Sequence, residues 1–237
     1  MPVYNEEKCI HSSILETTRT LNSFGYDWEI IVVDDGSTDH TYQKATKTSL
    51  ELDKVKVVKS ISNRGKGWVL KHGFQLVKGD FVVFLDGDLD LHPRRIETFF
   101  EIMRKTDSDV VIGSKRHPLS IVDYPLTRRM LSFLYHLLVA ILFRLCITDT
   151  QVGLKLWKYE VLEKILPKVL VKKYALDLEL LANARRLGYK VREAPIILNF
   201  GRENPWGRIH FKDICKIGID TLAIFYRMYI LHYYDKH

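Results

Sequence analysis

Four short runs of β-branched and aromatic residues, 28–33, 55–58, 81–85 and 110–112, punctuate the first half of the chain, and amphipathic stretches separate the first three. Parallel strands cannot be joined by a tight hairpin, so this alternation predicts an α/β protein with a mostly parallel sheet flanked by crossover helices. The third run, Phe81-Val82-Val83-Phe84-Leu85, stops abruptly in three carboxylates at alternate positions, Asp86, Asp88 and Asp90. A buried strand interior does not tolerate such a cluster. The carboxyl end of a parallel strand is where α/β proteins place ligands, and oxygen ligands there suit a hard divalent cation. An isolated Asp-Gly-Asp is more often a solvated turn, and that reading would usually win here without further support.

The neighbouring loops give it company. The strand over 28–33 runs into Asp34-Asp35-Gly36-Ser37-Thr38-Asp39, where Gly36 permits a sharp turn and Asp39 can cap the next helix. A carboxylate at this place can accept from a base N–H or a ribose hydroxyl. Asn63-Arg64-Gly65-Lys66-Gly67 sets two cations among glycines ahead of a helix, a composition suited to phosphate. The chain opens on Pro2-Val3-Tyr4-Asn5-Glu6, which reads as a loop following a strand although only Met1 precedes it, so a first strand is expected to be missing.

At 237 residues and 46% hydrophobic content the chain can bury one large core, and no Ser/Gly/Pro-rich linker divides it. The expected organisation is a catalytic domain over residues 1–212 and a C-terminal amphipathic helix over 213–237. Lys and Arg outnumber Asp and Glu by 36 to 29, giving a net charge of +7, which favours polyanions or an anionic surface. Nucleic acid is disfavoured because the basic residues are dispersed and the acidic loop shares the same edge. Cys9, Cys146 and Cys215 show neither zinc spacing nor a disulfide framework, which points to a reducing, cytosolic setting. The N-terminus lacks a basic-then-apolar signal pattern, so the folded part is expected not to be secreted.

In this order, Pro2-Val3-Tyr4-Asn5-Glu6, Asp34-Asp35-Gly36-Ser37, Asn63-Arg64-Gly65-Lys66-Gly67 and Asp86-Gly87-Asp88 closely resemble the inverting glycosyltransferases of family 2. The resemblance implies a GT-A fold, a nucleotide-sugar donor carrying UDP or GDP, and Mg2+ or Mn2+ held through the Asp-x-Asp motif. Asp149-Thr150-Gln151-Val152-Gly153-Leu154-Lys155 and Leu176-Asp177-Leu178-Glu179-Leu180-Leu181 resemble segments of the dolichyl-phosphate glucosyltransferases, with dolichyl-phosphate mannose synthases as relatives. The likeness spans roughly residues 2–212. By that likeness Pro2, Tyr4 and Glu6 lie near base and ribose, Asp34 or Asp35 on the base, and Lys66 nearby. Asp88 and Asp90 are the leading metal ligands, with Asp86 shared between ribose and metal, while Asp149, Gln151 and Asp177 line the site.

Two departures stand out: Leu154 and Leu176 replace aromatic residues, and Gly113-Ser114-Lys115 carries Lys where the family usually has a phosphate-binding Arg. Lys lacks Arg's bidentate fork, so Arg116 next door becomes a candidate substitute. The expected reaction moves a hexose, glucose before mannose, to a polyprenyl or dolichyl phosphate. A phosphate monoester is already largely dianionic at neutral pH, so the acceptor needs cations rather than a base; Arg128, Lys115 and Arg116 are the candidates. Two other readings are a family 2 enzyme acting on a glycan or lipid hydroxyl, with Asp177 the first suspect as base, and a non-catalytic nucleotide-sugar-binding protein. Asp177 and Glu179 fall two apart on a predicted helix and so should not face each other.

Residues 128–145 are strongly apolar, with Arg129, Ser132, His136, Ala140 and Arg144 forming a narrow stripe at helical spacing. The C-terminal stretch repeats the pattern, with Asp213, Lys216, Asp220 and Arg227 opposite Ile214, Ile217, Phe225, Met228 and Tyr229, and with Tyr226, Tyr233 and Tyr234 as interface aromatics. Neither segment reads as a complete membrane span. Peripheral attachment at an anionic cytoplasmic membrane face is the expectation.

Overall fold

The computed structural model describes residues 1–123, 126–172, 175–199 and 211–236. In chain order it places β1 (Pro2–Val3), α1 (Ile10–Asn22), β2 (Ile30–Asp34), α2 (Thr41–Ser49), β3 (Val55–Lys59), α3 (Lys66–Phe74), β4 (Phe81–Phe84), α4 (Arg95–Thr106) and β5 (Val110–Ser114). It continues with β6 (Ile121–Asp123), α5 (Leu126–Phe143), β7 (Lys155–Lys158), α6 (Tyr159–Ile165), α7 (Leu176–Arg186), β8 (Val191–Pro195) and β9 (Ile197–Asn199). The last elements are α8 (Phe211–Phe225), a stretch of π-helix (Tyr226–Ile230) and α9 (Tyr233–Lys236).

The predicted alternation is present. β1, β2 and β3 form a parallel unit in that order, while β4, β7, β5 and β8 form a second, and β6 pairs in parallel with β9. β7 runs antiparallel to both β4 and β5, which places a later strand between two consecutive ones. That reversal matters for the site. The start of β7, Lys155, is paired with Phe84 and Ile112, so the loop leading into it arrives at the carboxyl ends of β4 and β5.

Side chains of the central strands alternate between two cores, as the pleat demands. Val110, Ile112 and Trp157 join α6, α7 and the buried side of the C-terminal segment, whereas Val111, Leu154 and Leu156 pack with Ile96, Phe99 and Met103 of α4. A third core lies under β1–β3, with Ile10, Ile14, Val32 and Ala45.

Pro2 and Val3 are themselves strand, in register with Val33 and Asp34, so the turn toward Glu6 begins two residues later than the sequence reading placed it. The Met1 amino group donates to the Ile31 carbonyl at 2.8 Å, and burial pushes its pKa down to about 5. An apolar cleft of about 830 Å³, bordered by Met1, Phe24, Ile31, Phe81, Val83 and Phe100, continues between β2 and β4.

The C-terminal stretch packs against the rest of the chain. Its helix includes Phe211, breaks at Leu231–His232, and sends Ile224, Met228 and Tyr234 into the main core. Tyr234, read from sequence as an interface aromatic, is buried. Among the described residues no helix is long and apolar enough to cross a membrane.

Candidate active site

The carboxyl ends of β2, β4 and β5 and the loop before β7 form one polar edge, and each loop there is tied to another. Asp34, fully buried at the end of β2, accepts from the Ser37 amide at 3.2 Å and from the Ser37 hydroxyl, and lies 4.0 Å from the Lys59 ammonium. Asp35 accepts from the Arg64 and Gly65 amides at 2.7 and 2.8 Å. Both carboxylates thus brace the loops around them. The Asn5 amide donates to Ser37 Oγ and the Glu6 amide to Thr41 Oγ1, stapling the 4–7 loop to the turn after β2. Gly36 and Gly65 both have positive φ, and at Gly36 a Cβ would stand 2.6 Å from the Ser62 backbone. Only glycine meets both demands.

Lys66 opens α3 and reaches Asp86 at 3.0 Å, the ion pair being about one-third exposed. Burial opposes the Lys66 charge, but Asp86, Asp177 and Asp88 together outweigh it and hold its pKa above the ordinary value. The same desolvation works against ionised Asp86, and Lys66 and Lys155 reverse it, leaving the carboxyl below its usual range. Gly153 abuts the Asp86 carboxylate so closely that a Cβ there would overlap it.

Asp86, Asp88, Asp90, Lys115 and Gln151 line a single pocket of about 210 Å³, with Gly153, Leu91 and Ile196 completing its walls. Five of the sequence-chosen residues therefore converge. Pro2 lies in β1 and Tyr4 and Glu6 in the loop that follows it, on the neighbouring stretch of the edge; the Glu6 carboxylate lies 3.4 Å from Cys9 Sγ, and burial, then Glu6, pushes that thiol up to about 11. Asp149 pairs with Lys115 Nζ at 3.4 Å and accepts from the Lys115 and Gln151 amides. Arg116 turns toward α5, donating to Ser132 at 3.3 Å and lying over the Phe133 ring. The Arg128 side chain lies outside the described residues.

Two groups received no role in the sequence reading. Glu193 on β8 accepts from the Thr148 and Asp149 amides and so fixes the loop before β7. Lys155, buried at the start of β7, sits 2.9 Å from Asp177 and donates to the Val152 carbonyl; burial pushes its pKa down despite Asp177. Glu179 points elsewhere, to Leu170, Val171 and the C-terminal segment, so Asp177 and Glu179 do not form a facing pair. A lysine directly before the apolar pair Leu156-Trp157 was the signal for Lys155; a backbone-directed carboxylate such as Glu193 leaves none.

The carboxylate donor set suits a hard cation. Among the described residues no three His, Cys, Asp or Glu side chains gather into one metal-sized cluster, so Asp86, Asp88 and Asp90 do not form a three-carboxylate cage. The carboxylates present fit a hard divalent ion, Mg2+ or Mn2+, that takes one or two protein carboxylates and completes its shell with substrate phosphate and water.

Residues 1–166 match Glycosyl transferase family 2. The chain is 31% identical to "Dolichyl-phosphate beta-glucosyltransferase ALG5A" of Trichomonas vaginalis, over 96% of this chain and 73% of that protein. It is 32% identical to "Glycosyltransferase AglD" of Haloferax volcanii over 83% of this chain, and 31% identical to the dolichyl-phosphate beta-glucosyltransferase of Saccharomyces cerevisiae, also over 83%. It spans only 32% of the Haloferax protein and 64% of the yeast one. Among solved structures, glucosyl-3-phosphoglycerate synthase of Mycobacterium tuberculosis, in complex with Mn2+, UDP and phosphoglyceric acid, superposes with a TM-score of 0.71 at 22% identity, over 95% of this chain and 75% of that one. The fold is GT-A, and the chain belongs to glycosyltransferase family 2.

Proposed function

We propose that this chain transfers glucose from UDP-glucose to a polyprenyl phosphate of the dolichyl type, with inversion at the anomeric carbon. The observation that carries the reading is the convergence of Asp86, Asp88, Asp90, Lys115 and Gln151 on one pocket at the strand ends. The named relatives supply the acceptor class, and the mycobacterial synthase, solved with UDP-glucose, the donor. Mannose and GDP are the alternatives that a donor screen would separate.

An acceptor phosphate oxygen attacks C1 of the sugar, the C1–oxygen bond to the donor's β-phosphate breaks, and UDP departs. The attacking oxygen is anionic near neutral pH, so no base is needed. Asp177, already paired with Lys155, is poorly placed to be one. Tyr4, Glu6 and one of Asp34 or Asp35 are assigned to base and ribose, and Lys66 to the diphosphate, where its charge offsets what develops on the leaving group. Asp88, with Asp90 or Asp86, would hold Mg2+ or Mn2+, which when bound acts as a Lewis acid toward the leaving diphosphate. Lys115, Arg116 and Arg128 are assigned to the acceptor phosphate, with Asp149 and Gln151 setting the Lys115 loop.

Met130, Phe133, Leu134, Leu137 and Ile141 of α5, together with Ile219, Leu222, Tyr226 and Ile230 of the C-terminal segment, expose apolar side chains. Tyr135 on α5 and Thr221 on α8 are 3.2 Å apart, so the two helices are neighbours. This face, on a chain of net charge +7, is assigned to the headgroup region of an anionic cytoplasmic leaflet. Incubation with radiolabelled UDP-glucose, polyprenyl phosphate and Mn2+ should move label into organic solvent. Label that stays in water as free glucose or a soluble glycoside overturns the assignment.

A further inference from the structure

Glu179 holds a fully buried carboxylate on α7, and the reaction proposed above makes no use of it. Its two oxygens serve two different segments. Oε2 accepts from the backbone N–H groups of Leu170 at 3.0 Å and Val171 at 2.7 Å. Oε1 accepts from the Arg227 guanidinium at 3.3 Å and from the Tyr234 hydroxyl. A carboxylate survives in such a place only where donors and a cation replace water, and here every one of those donors fixes a piece of chain.

The strap over 170–172 lies directly against the loop that carries Lys66. The Gly67 amide donates to the Lys172 carbonyl at 3.0 Å. A Cβ at residue 67 would stand 2.5 Å from the Val171 carbonyl, and one at residue 65 would overlap the Lys172 carbonyl. Lys71 of α3 ties the near end of the strap by donating to the carbonyls of Pro167 and Val169 at 3.1 and 2.6 Å. The opposite side of the loop is gripped by Asp35, so Lys66 is presented to Asp86 from between two walls.

We propose that Glu179 is a positioning residue for the donor-diphosphate loop, acting through the 170–172 backbone and making the setting of that loop depend on how residues 226–236 are seated. The inference rests on the assignment of Arg64–Gly67 to the donor diphosphate. Removal of one oxygen's partners should be felt at Lys66, which neither Glu179 nor Tyr234 touches.

Three variants test it, Glu179→Ala, Glu179→Gln and Tyr234→Phe. Hydrogen exchange on the nucleotide-free protein should speed up at residues 64–68 and 170–171, most in Glu179→Ala and least in Tyr234→Phe. Calorimetry with UDP and Mn2+ should show affinity falling about tenfold in Glu179→Ala, with partial rescue in Glu179→Gln, whose remaining oxygen can still accept from the two strap amides. UMP affinity and the KM for polyprenyl phosphate should stay near wild type, a split that general destabilisation would not produce. If Glu179→Ala does not fold, the other two decide. Folded Glu179→Gln and Tyr234→Phe with wild-type exchange at 64–68 and wild-type UDP affinity overturn the proposal. Faster exchange in the variants with no UDP binding even in the wild type upholds the clamp and overturns the donor assignment of the loop.

Discussion

At the polar edge formed by the strand ends Asp34, Asp35 and Asp149 are buried and each accepts from backbone amides of adjacent loops, whereas along α5 and the C-terminal segment large apolar side chains face solvent. The first region is organised by the chain itself. The second presents apolar surface that the described residues leave uncovered. Loops fixed before a ligand arrives lose little entropy when it binds, while an exposed apolar face gains its free energy only on contact. Damage to the two regions should therefore separate into turnover and surface attachment.

The largest expected effect is at Asp88. Asp88→Asn leaves one weaker oxygen toward a hard cation, and turnover should fall about a hundredfold or more while sedimentation with anionic vesicles is unchanged. A parallel loss of vesicle binding would break the separation. Next, Leu134→Ser, Leu137→Ser and Ile141→Ser combined should lower partitioning onto anionic vesicles about thirtyfold while the chain stays folded, since these side chains are 59%, 46% and 67% exposed. Unaltered partitioning in sedimentation would remove the membrane assignment of α5.

Gly67→Ala sharpens the donor side. Helix propensity alone makes it stabilising, but the Val171 carbonyl stands 2.5 Å from the new Cβ, so the contact should win and donor KM should rise about tenfold. A more stable variant with unaltered KM would show that the strap yields easily. Smallest is Lys115→Ala, which should raise the KM for polyprenyl phosphate by about threefold and leave UDP affinity alone. Equal losses in both would place Lys115 on the donor side.

Much of the polar edge was legible because its signals are local. Carboxylates directly after apolar runs, and glycines beside cations, keep their meaning whatever surrounds them, and Asp86, Asp88 and Asp90 did come to one pocket with Lys115 and Gln151. The position of β7 was not legible. Lys155-Leu156-Trp157-Lys158 is short, and nothing within it records that its neighbours are β4 and β5 or that it runs against them. Tyr234 shows the same limit from another side: a tyrosine near an apolar stretch reads as an interface residue until its hydroxyl finds Glu179, fifty-five positions earlier.

The order of the second sheet unit has a consequence for synthesis on the ribosome. β4 and β5 emerge early, yet the strand that joins them is β7, so β4 waits for roughly 70 further residues before its partner exists. At about 5–20 residues per second, that leaves Phe81–Phe84 without its ladder for about 4–15 s. An unpaired apolar edge is open to wrong pairing during that interval. Slowing elongation between codons 85 and 155 should therefore increase the insoluble fraction of nascent chains, while slowing it after codon 200 should not.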